Sequence, residues 1–281
     1  MAQRSNFRRQ PEQRVFAGEC PVHGSIDRSE VEQFDGSMAT RPCKQCQYHG
    51  LRVAAQGSEE HSQALANMQA ESVNSALVGS GITPRFADST FATYRATTAA
   101  MTQALETCQA YADNFGEHFQ AGRNLLLCGN VGNGKTHLAS GIVQHVIRQH
   151  RAVAVITTAA EIVRVFKRSM VRDAGFTEGD VINELASFDL LVIDEVGAQA
   201  GTHYELSVLH EVLDRRYNLI RPTVVVSNLP ATVKPKYDAD GKLLPAPPSL
   251  EQYIGVRALD RLRENKALLV GFTWESARGR V

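Results

Sequence analysis

The sequence predicts an α/β protein in which helices cover both faces of a five-stranded parallel sheet, with a small polar module ahead of it. Three observations lead there. From about Arg85 onward, short apolar runs alternate with segments of helical period. One of those runs passes through a glycine-rich turn into a helix. The first 57 residues are polar and hold two closely spaced pairs of metal-ligating side chains. A chain of 281 residues accommodates one large α/β domain and a smaller module. The predicted division is a module over 1–57, a helical segment and linker over 58–84, and the α/β domain over 85–281.

Ser58 to Val78 has helix-forming composition, and Gly79-Ser-Gly-Ile-Thr-Pro84 breaks the chain. Thr98 to Phe115 reads as one helix, with Met101, Leu105, Cys108 and Tyr111 on a common face. Asn124-Leu-Leu-Leu-Cys-Gly129 is a short apolar run of the kind that forms a buried parallel strand. Helices follow over 136–149, 159–172, 178–187 and 203–218. They alternate with strands over 152–157, 189–194, 223–227 and 267–272. Such alternation implies right-handed crossovers and a parallel sheet. Lys234 to Ser249 carries four prolines and reads as a mobile surface loop.

Lys+Arg and Asp+Glu are 30 each, so overall charge does not announce a nucleic-acid partner, and any such contact must be local. No apolar run reaches membrane-spanning length, and the first residues lack the apolar stretch of a secretory signal, so the expected compartment is the cytoplasm, with no membrane partner.

Gly129-Asn130-Val131-Gly132-Asn133-Gly134-Lys135-Thr136 fits the phosphate-binding pattern G-x-x-x-x-G-K-[ST] in full. Its glycines let backbone N–H groups wrap phosphates, and the following helix adds its positive dipole end. Lys135 is placed to meet the β- and γ-phosphates of ATP or ADP, and Thr136 to offer its hydroxyl to Mg²⁺. His137 follows directly and is counted with the nucleotide-binding residues. Leu190-Leu-Val-Ile-Asp194-Glu195 brings carboxylates to the end of a strand, where ligands of α/β sheets bind. Asp194 is expected to hold Mg²⁺ through water, and Glu195 to deprotonate the attacking water. Hydrolysis is the expected reaction. Asn228 closes the 223–227 strand. It either positions the lytic water or simply ends the strand, and the residues alone do not decide.

Cys20-Pro-Val-His23 and Cys43-Lys-Gln-Cys46 give two pairs of soft ligands suited to tetrahedral Zn²⁺. His49 is the fallback for His23. A segment this polar has little else to fold around, so the site is expected to be structural. Cys108 and Cys128 read as small core residues.

GNVGNGKTHLA, LLVIDEVG, the strand ending at Ser227-Asn228, and VRALDRLRENKALLVGFTWES together resemble the DnaC-type replicative helicase loaders of bacteria and phages. These form a branch of the AAA+ ATPases, a P-loop NTPase class with a three-layer αβα domain. The resemblance runs from about Phe86 to the end. It implies self-association through ATPase domains, binding to single-stranded DNA, and delivery of a hexameric replicative helicase docked on the N-terminal region. It also implies that Arg261 is an arginine finger reaching a neighbour's ATP, with Arg257 the alternative, and that Arg278 contacts the nucleotide of its own subunit. Arg164, Lys167 and Arg168 share one helix and are candidate DNA contacts, as are Arg4, Arg8, Arg9 and Arg14. Their alternative reading is a solvated face or tail. The transposition helper ATPases of the IstB type, which act on duplex DNA for a transposase, share the same core and are the rival reading.

Overall fold

The computed structural model describes residues 5–198, 201–234, 238, 244–245 and 247–276. It divides into two compact units, Arg8–Ala87 and Asp88–Val281, the latter joined by Met1–Phe7.

In the smaller unit, β1 (Gln13–Cys20), β2 (Gly24–Glu32) and β3 (Met38–Thr40) form an antiparallel sheet in sequence order. Helix α1 (Lys44–Arg52) follows, and α2 (Glu59–Val78) packs along it. Gly50 makes the close approach possible, since a Cβ there would meet the Ala64 Cβ at 2.9 Å. Asn74 ties α2 to the end of β2, donating to the Glu32 carbonyl at 2.7 Å and accepting from the Phe34 N–H at 2.9 Å. The segment expected to be a linker helix is therefore packed into this unit, and the three strands are an addition to the expected organisation.

The larger unit is a five-stranded parallel sheet flanked by helices, as the sequence predicts. Its strands are β4 (Leu125–Gly129), β5 (Ala154–Thr158), β6 (Leu190–Val196), β7 (Thr223–Ser227) and β8 (Leu268–Phe272), in the spatial order β5-β6-β7-β4-β8. Because β4, β6 and β7 are covered on both faces, they are apolar almost throughout. Helices α3 (Ala99–Asp113) and α5 (Lys135–His150) pack together on one side, with α4 (Phe115–Ala121) beside them. Helices α6 (Ala159–Ser169), α7 (Glu178–Ser187), α8 (His203–Asn218), α9 (Leu250–Ile254) and α10 (Val256–Arg263) cover the other. The helix expected over 98–115 breaks at Asn114, and α4 follows.

Fully buried Arg216 on α8 fastens one corner of this layer. Its guanidinium donates to the carbonyls of Leu185 (2.6 Å), Phe188 (2.9 Å) and Pro222 (2.6 Å) and to Thr223 Oγ1 (3.0 Å). Burial brings its pKa down to about 9, and it remains charged at neutral pH. Among the described residues no helix is long and apolar enough to cross a membrane. Most of the proline-rich 234–249 stretch lies outside the described residues.

Candidate nucleotide site and metal centre

All five strands point their carboxyl ends at the loop between β4 and α5. Gly129 closes β4 with φ 138°, and a Cβ there would stand 2.2 Å from the Phe272 carbonyl oxygen. No other residue fits that approach to β8. Gly134 opens α5 at φ 87°, under the ring of Tyr94. The loop is thus wedged between β8 and the 88–94 segment, with α5 presenting its N-terminus behind it. Lys135 is buried, and its Nζ donates to the carbonyls of Gly129 (2.9 Å) and Asn130 within the loop it closes.

Across the sheet, Thr136 Oγ1 donates to Asp194 Oδ2 at 2.9 Å. A hydroxyl and a carboxylate oxygen converging at a strand end form the hard-oxygen donor set that Mg²⁺ takes, so the residues present fit the ion. Asp194 is buried, and desolvation raises its carboxyl above the ordinary range, opposed by the Thr136 hydroxyl and the Glu195 N–H, the latter 2.7 Å from Oδ1. Glu195 has φ 58° and an exposed side chain, and the β6–β7 pairing shifts register between Ile193 and Val196. This bulge turns Glu195 out of the alternation of its strand. β7 lies beside β4 with Ser227 opposite Cys128, so Asn228 falls alongside Gly129 at the head of the loop.

His137 turns away from the loop. Its Nε2–H donates to the Thr90 carbonyl at 2.8 Å, and its ring meets Tyr94 edge-on at 5.3 Å. Three contributors lie outside the motif, Tyr94, Phe272 and Trp274, and all three meet Asn133 within it. Asn133, only 2% exposed, donates from Nδ2 to the carbonyls of Phe272 (3.2 Å) and Trp274. The Asn133 carbonyl accepts from Trp274 Nε1 at 3.2 Å and from the Tyr94 hydroxyl at 3.5 Å. Burial holds the Tyr94 phenol at about 12.

Arg261 lies on α10, ion-paired with Asp214 and stacked over Tyr217 at 5.3 Å. Arg257, one turn earlier, is exposed. Arg278 and Arg4 lie outside the described residues. Arg164, Lys167 and Arg168 share the exposed face of α6. Arg164 pairs with Glu161, Lys167 sits 5.9 Å from the Tyr204 ring, and Arg168 sits 5.9 Å from Phe176. Of the N-terminal arginines, Arg9 pairs with Glu32 and Arg14 with Glu12 at 3.0 Å.

In the smaller unit, the turn joining β1 to β2 carries Cys20 and His23, and the first turn of α1 carries Cys46, with Cys43 as its N-cap. His23 Nδ1 is 3.6 Å from Cys20 Sγ, 3.6 Å from Cys43 Sγ and 3.4 Å from Cys46 Sγ. The four ligand atoms lie within 4.8 Å of one another. Three sulfurs and one imidazole nitrogen at these separations fit the corners of a tetrahedral zinc site. Hydrogen bonds, chiefly from the Val22 backbone N–H, hold the Cys20 thiol down to about 6. Contact with Cys20 raises Cys46 to about 11. His49 faces away and pairs with Glu60 at 3.4 Å.

The model of the IstB-like ATP binding protein family matches residues 84–243, more than half of the chain. The replicative helicase loader DnaC of Escherichia coli K12 is 30% identical over 202 residues, spanning 72% of this chain and 74% of the loader. The chain belongs to the DnaC/IstB-like family of AAA+ ATP-binding proteins. A second DnaC-type relative, the loader of Buchnera aphidicola (Schizaphis graminum), is 28% identical over 79% of this chain and 82% of its own length. The crystal structure of the DnaC helicase loader shares the fold, with a TM-score of 0.55 at 18% identity, covering 68% of this chain and 99% of that one.

Proposed function

We propose that this protein is an ATP-dependent loader of the replicative DNA helicase, binding the helicase and single-stranded DNA under control of ATP binding and hydrolysis. The observation that carries this reading is the match to DnaC loaders over nearly three quarters of both chains, spanning a complete phosphate loop and its paired Thr136 and Asp194.

In this reading the loop amides and Lys135 hold the phosphates of ATP, the Lys135 ammonium leaving the loop carbonyls for the γ-phosphate. Thr136 and Asp194 would hold Mg²⁺, which supplies charge neutralisation on the β- and γ-phosphates. Glu195, turned out by its bulge, takes a proton from water as the water oxygen attacks the γ-phosphorus. The bond from that phosphorus to the bridging oxygen breaks, giving ADP and inorganic phosphate. Asn228 is set to hold that water. ATPase domains of neighbouring copies associate, with Arg261 or Arg257 completing the next site. Arg257 is the more available, since Arg261 must first leave Asp214. The zinc-holding unit is the helicase-docking part, and the protein works in the cytoplasm.

The rival reading is a transposition helper on duplex DNA, favoured by the IstB-like family match. Pull-down of hexameric replicative helicase with ATP, with ADP and without nucleotide tests both. Capture that depends on residues 8–87 supports loading. No capture, with ATP-dependent filaments on duplex DNA instead, rejects it.

A further inference from the structure

The first described residues do not belong to the zinc-holding unit that follows them. Ser5, Asn6 and Phe7 group with the ATPase domain, and the chain enters the other unit only at Arg8. Their anchor is Glu184 on α7. The Glu184 carboxylate accepts from the Asn6 N–H at 2.9 and 3.0 Å, from Asn6 Nδ2 at 3.1 Å and from the Phe7 N–H at 3.3 Å. The Ser5 hydroxyl donates to it as well. The Phe7 ring packs against the apolar cluster that α6, α7 and α8 form under the sheet. A single carboxylate thus gathers two consecutive backbone N–H groups and two side chains, and an aromatic anchor sits beside it. That is how a protein recognises a short peptide segment: charge-assisted bonds fix the backbone, and a ring packed against an apolar cluster, here the partly buried Phe7, fixes the register.

We infer that the α7 face of the ATPase domain is a docking site for the chain's own Ser5-Asn6-Phe7 segment, so that residues 8–87 are an insertion held at both ends. The consequence follows from connectivity. A unit attached at one end explores whatever volume its linker allows, whereas one attached at both ends is limited by the shorter connection. Phe7 and Arg8 are adjacent, so while the segment is docked the zinc-holding unit starts within one residue of a fixed point.

The test is hydrogen exchange on the full chain, read at the Asn6 and Phe7 amides in the wild type, Glu184→Ala and Phe7→Ala. Docking predicts slow exchange at both amides in the wild type. It predicts acceleration of about tenfold or more in each variant. Exchange across β4 and β6 and the bound zinc should stay unchanged, showing that both units remain folded. Rapid exchange at Asn6 and Phe7 in the wild type, or exchange indifferent to Glu184→Ala, overturns the assignment. Protection that disappears on dilution overturns it too, because the segment would then be supplied by a second copy.

Discussion

Trp274 and Asn133 hydrogen-bond reciprocally: the indole Nε1–H donates to the Asn133 carbonyl at 3.2 Å, and Asn133 Nδ2 donates to the Trp274 carbonyl. Asn133 lies in the loop between β4 and α5, so the segment after β8 is fastened to the part of the protein proposed to hold the phosphates. Trp274 is the chain's single tryptophan. Its fluorescence should therefore respond to ATP or ADP, saturating with the affinity measured by calorimetry. Trp274→Phe keeps an aromatic ring and removes the donor, a loss of about 1 kcal/mol, or roughly fivefold in affinity. Emission that ignores saturating nucleotide would show that the loop and the tail are uncoupled.

Asp194 and Glu195 are neighbours within the bulge between Ile193 and Val196, the first buried and the second exposed, and the proposed function gives them different tasks. Glu195→Gln should bind ATP normally while its turnover falls by about a hundredfold or more, the scale for loss of a general base. Asp194→Ala removes the partner of Thr136 and should weaken magnesium-dependent binding as well. Single-turnover kinetics beside binding isotherms separate the two. Equal loss of binding in both variants would take the base role away from Glu195.

The parts of this site legible in the sequence are those whose partners are close along the chain or fixed by residue type. The loop needs glycines, a lysine and a hydroxyl at set spacing, and Asp194 ends an apolar strand. The Trp274–Asn133 and Tyr94–Asn133 contacts join residues far apart in sequence, and nothing in their local pattern marks them. The strands of the smaller unit escaped for a different reason. β1 is exposed along nearly its whole length, so it lacks the apolar alternation that reveals a strand. Its cysteines were readable because metal ligands are recognised by spacing.

The proposed zinc ligands join the β1–β2 turn to the start of α1, and in so polar a unit the metal would supply much of the folding energy. Removing the metal with a chelator, or making Cys43→Ser with Cys46→Ser, should unfold residues 8–87 and leave the ATPase domain intact. Wild-type protein should carry one zinc per chain by elemental analysis, and the double variant none. ATP binding should change by less than about twofold, since the nucleotide site lies in a separately packed unit. Retention of one zinc by the double variant would exclude this ligand set.

His118 gives the ATPase domain an acid-sensitive point. It is 5% exposed on α4, stacks on Tyr111 at 4.7 Å, and its Nδ1 is buried without a hydrogen-bond partner among the described residues. Burial, helped by the nearby Arg123 charge, lowers its pKa below the ordinary histidine value. The unfolded chain therefore takes up this proton at a higher pH than the folded protein does. Stability is then lost as pH falls below the unfolded value, and the loss levels off below the folded one. The domain's melting temperature should drop between about pH 7 and pH 5, and His118→Phe, which can keep the stack on Tyr111, should flatten that slope. Thermal melts of both proteins across this range decide it: parallel slopes would show that the acid sensitivity comes from other groups, whereas a flatter variant ties it to His118.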